Sequence, residues 1–119
     1  HTREAIKKVE SLGQEVLPLL QELGNLTKIV EKAIHLKDLL TMGQAMTKAH
    51  GKLAQLGVSC QLSDDLVELA LENGALGAKM SGGGLGGCVI VLIKEKKEAE
   101  DLARLLREKG ASNIWIESL

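Results

Sequence analysis

The sequence predicts an α+β fold, in which a helical part precedes a small, mostly antiparallel sheet with a βαβ unit at its end. Apolar residues recur every three or four positions through residues 1–75, which is the spacing of amphipathic helices. In residues 76–119, two short apolar segments flank a glycine-rich loop, and a helical segment then leads to a last strand. Helices on one side of such a sheet form a two-layer α+β domain.

Length and composition describe one globular domain. The chain has 119 residues, of which 45% are apolar and 26% charged, so we treat residues 1–119 as one unit. A net charge of −1 gives no long-range attraction for nucleic acid or for an anionic membrane. The single aromatic residue, Trp115, argues against a surface that stacks on bases. We therefore expect neither nucleic acid nor membrane among the partners.

Cysteine and histidine usage argues against a metal site. Cys60 and Cys88 are too few for a disulfide framework or a zinc site, and we expect both as buried or partly buried thiols in the cytoplasm. His35 and His50 are far apart, and neither has a cysteine or a carboxylate pair nearby at ligand spacing. His50 lies near the buried edge of its helix, which favours a structural imidazole over a catalytic one.

The helical part begins with two predicted helices. Thr2 can cap the first, which runs to Gly13. The second begins near Gln14, tolerates Pro18 in its first turn because the missing N–H needs no partner there, and continues to Ile34.

Two further helices complete the first part. Asp38 is predicted to start the third, and Gly57 to end it in the left-handed conformation common after helices. Ser63 is predicted to cap the fourth, with Asp64 and Asp65 facing its positive end. Adjacent residues of a helix point in different directions, so capping explains the two aspartates better than a catalytic carboxylate pair does.

The second part alternates strand and helix. Residues 78–81 form a short strand candidate, and residues 88–93 form a second one whose lack of alternation predicts a well-covered strand. Residues 94–97 form a charged break before a helix that ends at Gly110. Residues 113–117 form the last strand, which makes a right-handed βαβ unit with the helix before it.

The glycine-rich loop is the feature that points to a ligand. Five of the six residues 82–87 are glycine, and bare backbone amides in a tight loop suit phosphate oxygens. A loop at a mobile hairpin tip without a ligand is the alternative. A strand rather than a helix follows the loop, which excludes the dinucleotide motif. Cys88 and Val89 stand where a P-loop requires Lys and Ser or Thr, which excludes that motif as well.

The residues show no catalytic machinery. No nucleophile stands beside a base, and no pair for general acid–base chemistry is evident. The sequence, read from its residues, thus predicts a phosphate-compatible loop without catalytic groups of its own.

Residues 79–93, which read KMSGGGLGGCVIVLI, resemble the third, glycine-rich motif of the galactokinase, homoserine kinase, mevalonate kinase and phosphomevalonate kinase superfamily. Residues 56–59, 64–67 and 74–79 are similar to the approach to that motif in mevalonate kinases, and residues 2–5 resemble the helix start after a conserved family strand. The resemblance spans nearly the whole chain. Ala49 and Ser63 depart from the residues that mevalonate kinases often carry there.

The resemblance implies a ferredoxin-like C-terminal kinase domain. It implies ATP-dependent transfer of a phosphoryl group to an alcohol, the 5-hydroxyl of mevalonate, with Mg²⁺. The N-terminal domain of the same enzyme would bind ATP and Mg²⁺ and carry the catalytic residues, so no catalytic or metal-binding residue is expected in this chain, which would be inactive alone. The implied phosphate-loop residues are Ser81, Gly82, Gly83, Gly84, Gly86 and Gly87, and Thr2 would lie near the substrate.

The resemblance also predicts how the sheet is completed. The family's first strand lies just upstream of the position of Thr2, so we expect the edges left open here to be filled by an upstream segment or another polypeptide. A homodimer stays open as a further partner. The alternatives are another kinase of the superfamily, such as phosphomevalonate kinase, a non-catalytic ligand-binding or regulatory module, and an interaction scaffold.

Overall fold

The computed structural model describes residues 16–81 and 88–111 of the chain. The helices are α1 (Val16–Leu36), α2 (Leu39–Gln55), α3 (Gln61–Glu72) and α4 (Lys96–Lys109), and the strands are β1 (Gly77–Ser81) and β2 (Cys88–Leu92). This mostly helical arrangement with a small antiparallel sheet confirms the α+β class. The helix predicted from Thr2, the glycine loop and the last predicted strand lie outside the described residues.

The predicted helix ends are local features, and most of them are confirmed. Asp38 caps α2, because the backbone N–H and the hydroxyl of Thr41 both donate to its carboxylate, at 3.2 and 2.7 Å. Pro18 lies in the first turn of α1, as predicted. After α2, Gly57 has a φ of 75°, a left-handed conformation in which glycine carries no steric penalty.

The predicted cap of α3 is wrong in position. Helix α3 begins at Gln61, and its N-cap is Cys60, whose backbone is extended. Ser63 is the third helical residue, and its hydroxyl accepts the Cys60 N–H at 3.0 Å and donates to the Cys60 carbonyl at 2.9 Å. Ser63 therefore stabilises the first turn of α3 from the third helical position, because its side chain accepts the backbone N–H of the N-cap residue as in a capping box.

Two expectations for the second part also need correction. Strand β2 is not well covered, because Cys88 and Ile90 on its outer face are exposed, Ile90 to 48%. The charged break is shorter than predicted, because α4 already begins at Lys96. Within the described residues the sheet has only two strands, and the helices pack on the face that carries Ala78 and Met80. The predicted filling of the sheet edges stays a prediction.

The two strands form an antiparallel hairpin with its core on one face. The register runs from Gly77 opposite Leu92 to Ser81 opposite Cys88. Ala78 packs with residues of α3 and α4 in one apolar cluster, and Met80 packs with Leu56 and Val58 in a second. Burial of a side chain such as Leu56 stabilises the fold by roughly 1.5–3 kcal/mol, so the two clusters fix the hairpin against the helices.

Helix α2 lies against the start of β1 without side chains between their backbones. A Cβ atom added to Gly43 would overlap the Leu76 carbonyl, and one added to Gly77 would overlap the backbone of Gly43. Real Cβ atoms do not approach backbone atoms that closely. The helix and the strand can therefore take these positions only with glycine at both sites.

Among the helices of the described ranges, none has both the length and the apolar character needed to cross a membrane.

Replacement of Gly43 by alanine should destabilise the domain by about 1–3 kcal/mol, because the helix and the strand must move apart to admit a methyl group. Gly51 lies on the same helix, and nothing stands within 4 Å of a Cβ atom added there. Gly51→Ala is thus the matched control, and it should stabilise by about 0.5–1 kcal/mol through helix propensity alone. Urea unfolding of the two variants measures both effects. Equal free energies of unfolding would contradict the backbone contact.

The cap at Asp38 predicts a pH-dependent difference in stability. The hydrogen bonds from the Thr41 hydroxyl and backbone N–H hold the pKa of Asp38 below its ordinary value in the folded state. The cap therefore contributes its full stability above the unfolded-state pKa and loses it as the pH falls through the lowered folded-state pKa. The difference in thermal midpoint between the wild type and Asp38→Ala should be constant near neutral pH and shrink below about pH 4. A difference that persists unchanged at pH 2 would contradict the cap.

Candidate functional site

The predicted glycine loop lies in sequence between the last paired residues of the hairpin. Ser81 ends β1, Cys88 begins β2, and the two residues are paired across the hairpin. Residues 82–87 therefore connect two strand ends that are already held side by side. Ser81 is half-buried and Cys88 is exposed. The exposed thiol of Cys88 corrects the expectation that both cysteines are covered, and Cys60 is half-buried as expected.

Of the predicted site residues, the structure places Ser81 alone. Gly82, Gly83, Gly84, Gly86, Gly87 and Thr2 lie outside the described residues. Ser81 stands on the hairpin face opposite the core, since Ala78 and Met80 alternate with it and pack into the two apolar clusters. The side chain of Ser81 therefore shares the uncovered face of the sheet with those of Lys79, Cys88 and Ile90.

Strand β1 is anchored to α2 by two hydrogen bonds from its backbone to side chains. The Ala78 N–H donates to the hydroxyl of Thr47 at 3.3 Å, and the Met80 N–H donates to Nδ1 of His50 at 3.0 Å. Thr47 and His50 are three positions apart and lie on one face of the helix. Alternate N–H groups of a strand point to the same side, so the two side chains satisfy successive donors along one edge of β1.

His50 is fixed on both sides of its ring. Its Nε2 lies 2.8 Å from Oδ1 of Asp64 in the first turn of α3. The Met80 N–H needs a lone pair at Nδ1, so the hydrogen-bond network assigns the ring proton to Nε2, which donates to the Asp64 carboxylate. His50 is only 6% exposed, and both of its nitrogens have partners.

The sequence predicted only part of this arrangement. His50 is buried, as expected, but Asp64 does more than favour the positive end of α3, because it also accepts a hydrogen bond from an imidazole 14 residues away. Asp65, its neighbour, accepts instead from the side chain of Gln61 at 2.7 Å. One signal was available: Thr47 and His50 are polar positions on a helix face that otherwise carries glycine and apolar residues, and buried polar groups require partners.

The described residues contain no group of three or more His, Cys, Asp or Glu side chains that could hold a metal ion. An open groove of about 720 Å³ lies between α1 and α2, and Lys52 and Glu22 form an ion pair of 2.7 Å beside it. Among the described residues, those that line it belong to these two helices: Glu22, Asn25, Leu26, Lys48, Gly51, Lys52 and Gln55.

Comparison with known proteins identifies relatives over nearly the whole chain. The mevalonate kinase of Pyrococcus furiosus is 34% identical across 93% of this chain and 34% of its own length. The mevalonate kinase of Thermococcus sibiricus is 36% identical across 95% of this chain and 36% of its own length. The galactokinase of Thermococcus kodakarensis is 35% identical across 90% of this chain and 31% of its own length. The chain thus spans about a third of the length of the curated relatives it matches.

Solved structures agree with the sequence relatives. The L. major mevalonate kinase, crystallised in complex with R-mevalonate, superimposes with a TM-score of 0.78 at 26% identity over 92% of this chain and 35% of that one. The Methanococcus jannaschii mevalonate kinase gives a TM-score of 0.71 at 25% identity over 92% of this chain and 33% of that one. The family profile described as "GHMP kinases C terminal" matches residues 30–112. The chain belongs to the GHMP kinase C-terminal domain family, the superfamily that its glycine-rich motif resembles.

Proposed function

We propose that residues 1–119 form the C-terminal domain of a two-domain, ATP-dependent kinase that phosphorylates the 5-hydroxyl of mevalonate. The helical part is residues 1–75, and the part that presents the loop is residues 76–119. The observation that carries the proposal is the hairpin: a loop with the family's glycine motif joins two strand ends held side by side by the Ser81–Cys88 pair. The match to mevalonate kinases over more than 90% of the chain supports this acceptor.

The physical role of this domain is to present backbone dipoles to phosphate. Phosphoryl transfer depends on positioning and on electrostatic stabilisation of charge on the transferred group. In this proposal the amide N–H groups of residues 82–87, with Ser81 at their base, offer partial positive charge to the phosphate, and five of these six residues are glycine. Thr2 is proposed to lie near the acceptor alcohol.

The nucleotide and the metal belong mainly to the partner domain in this proposal. ATP supplies the phosphoryl group when bound, and the loop of this chain supports its phosphates. Because the chain matches about a third of the length of its relatives, the proposal assigns Mg²⁺ to the N-terminal domain of the same enzyme, as the family resemblance implies. A cytoplasmic location fits the exposed thiol of Cys88, which a reducing compartment preserves.

Another kinase of the superfamily is the second candidate, because a galactokinase is 35% identical over 90% of the chain. The acceptor pocket decides between the candidates. The two-domain protein that carries this chain as its C-terminal part should show the highest kcat/KM for mevalonate when mevalonate, phosphomevalonate and galactose are compared with ATP as donor. A preference for galactose or phosphomevalonate would transfer the assignment to that kinase, and activity with none of them would favour a non-catalytic module.

Replacement of Gly84 by valine in the same two-domain protein should lower kcat/KM for ATP by about 10²-fold, the cost of losing one oriented backbone donor. The branched side chain would obstruct the approach of phosphate oxygens to the loop amides. Gly24→Ala is the control, since nothing stands within 4 Å of a Cβ atom added at this exposed helix position. Steady-state kinetics of the two variants measure the difference. Unchanged kinetics in Gly84→Val would remove the loop from the mechanism.

A further inference from the structure

Of the two side chains of α2 that hold β1, His50 binds the strand residue nearer in sequence to the glycine-rich segment. Thr47 holds the N–H of Ala78, three residues before the end of the strand, whereas His50 holds the N–H of Met80, which directly precedes Ser81. The bond to His50 is the shorter of the two, 3.0 against 3.3 Å. The orientation of the peptide group at Met80 therefore depends on where the imidazole stands.

The imidazole is in turn oriented from a different helix. Asp64 of α3 accepts from Nε2 at 2.8 Å, which fixes the plane of the ring and leaves the lone pair of Nδ1 directed at Met80. The two ends of this connection differ in environment, because the Met80 residue is 2% exposed while the side chain of Asp64 is 43% exposed. Water can replace a lost partner at Asp64, whereas the buried N–H of Met80 has no such substitute.

We propose that His50, oriented by Asp64, is a positioning residue for the proposed phosphate site: it fixes the peptide group between Lys79 and Met80, and so the end of β1 at Ser81, from which the glycine-rich segment continues. The inference rests on the proposed function, since it takes the loop to act on phosphate. His50 touches neither substrate nor nucleotide in this proposal. It acts through the peptide group of Met80.

Two substitutions separate the two hydrogen bonds of the ring. In His50→Asn, the amide oxygen stands where Nδ1 was and can still accept from Met80, but the reach to Asp64 is lost. In His50→Gln, the longer amide can still donate to Asp64, but no acceptor remains beside Met80. Both variants replace a buried imidazole by an amide, so a merely structural role predicts similar effects of the two on activity.

In the two-domain kinase, His50→Asn should keep kcat within about threefold of the wild type, and His50→Gln should lower kcat by about 10–100-fold, the cost of a displaced reacting group. KM for the acceptor alcohol should change little in either variant. Thr47→Val is the matched control, because it removes the other side-chain acceptor of β1 farther from the loop, and it should leave kcat within about threefold. Equal losses of kcat in His50→Asn and His50→Gln, or an equal loss in Thr47→Val, would overturn the proposal.

The same connection can be tested from α3 with the imidazole intact. Asp64→Asn keeps an oxygen that can accept from Nε2, and Asp64→Leu removes it. We expect kcat to fall in Asp64→Leu and to stay within about threefold of the wild type in Asp64→Asn. Equal values of kcat in the two variants would show that Asp64 does not orient the ring.

A spectroscopic measurement on the same two-domain protein distinguishes failure of this inference from failure of the proposed function. Nitrogen-15 NMR should show His50 protonated at Nε2 and not at Nδ1, and the amide signals of Met80 and Ser81 should shift in His50→Gln more than in His50→Asn. A proton on Nδ1 would overturn the proposal whatever the enzyme does. If these signatures appear and the two-domain protein phosphorylates no alcohol, the proposed function fails while the control of the strand end by His50 stands.

Discussion

The fold depends on which groups accept hydrogen bonds from the backbone N–H groups along one edge of β1. A buried N–H without an acceptor costs roughly 1–3 kcal/mol, and a β-strand presents such donors at every second residue along each edge. At β1, helix α2 rather than a further strand receives the donors of one edge, through Thr47 and His50. Gly43 makes this possible, because its missing side chain lets the helix backbone reach the start of the strand.

The spacing of these three helix residues matches the strand. Positions 43, 47 and 50 succeed one another on one helix face, while their contacts advance along the strand from Gly77 through Ala78 to Met80. The two apolar clusters then clamp the core face of the hairpin. Strand β1 is held on its core face and on one edge, whereas the outer face that carries Ser81 is uncovered. A strand end held in this way suits the proposed site, because side chains on supported elements are positioned more accurately than those on free loops.

The sequence predicts best what depends on neighbouring residues. The cap at Asp38, the left-handed Gly57 and the helical periodicities involve residues within one or two turns, and the structure confirms them. The prediction for Ser63 is wrong because a serine hydroxyl is favourable at two positions, the N-cap and the third residue of a helix, and the sequence alone does not distinguish them.

Features that join distant residues escaped prediction. The contact between His50 and Asp64 spans two helices, and neither residue alone indicates the other. The apolar residues of β2 predict a well-covered strand. Apolar character shows that burial would be favourable, but it does not show which segment of the protein would bury the strand. Most of the candidate site lies outside the described residues, so its prediction rests on the glycine motif and on the family.

Helix α2 also decides in which direction the sheet can grow. A strand joins a sheet by pairing with free donors and acceptors at an edge, and on the α2 side of β1 the helix stands in the way. Within the described ranges, no strand pairs with the outer edge of β2. Of the two edges that the described residues show, that of β2 has backbone donors and acceptors to offer, so a further strand that joined this hairpin would pair with β2.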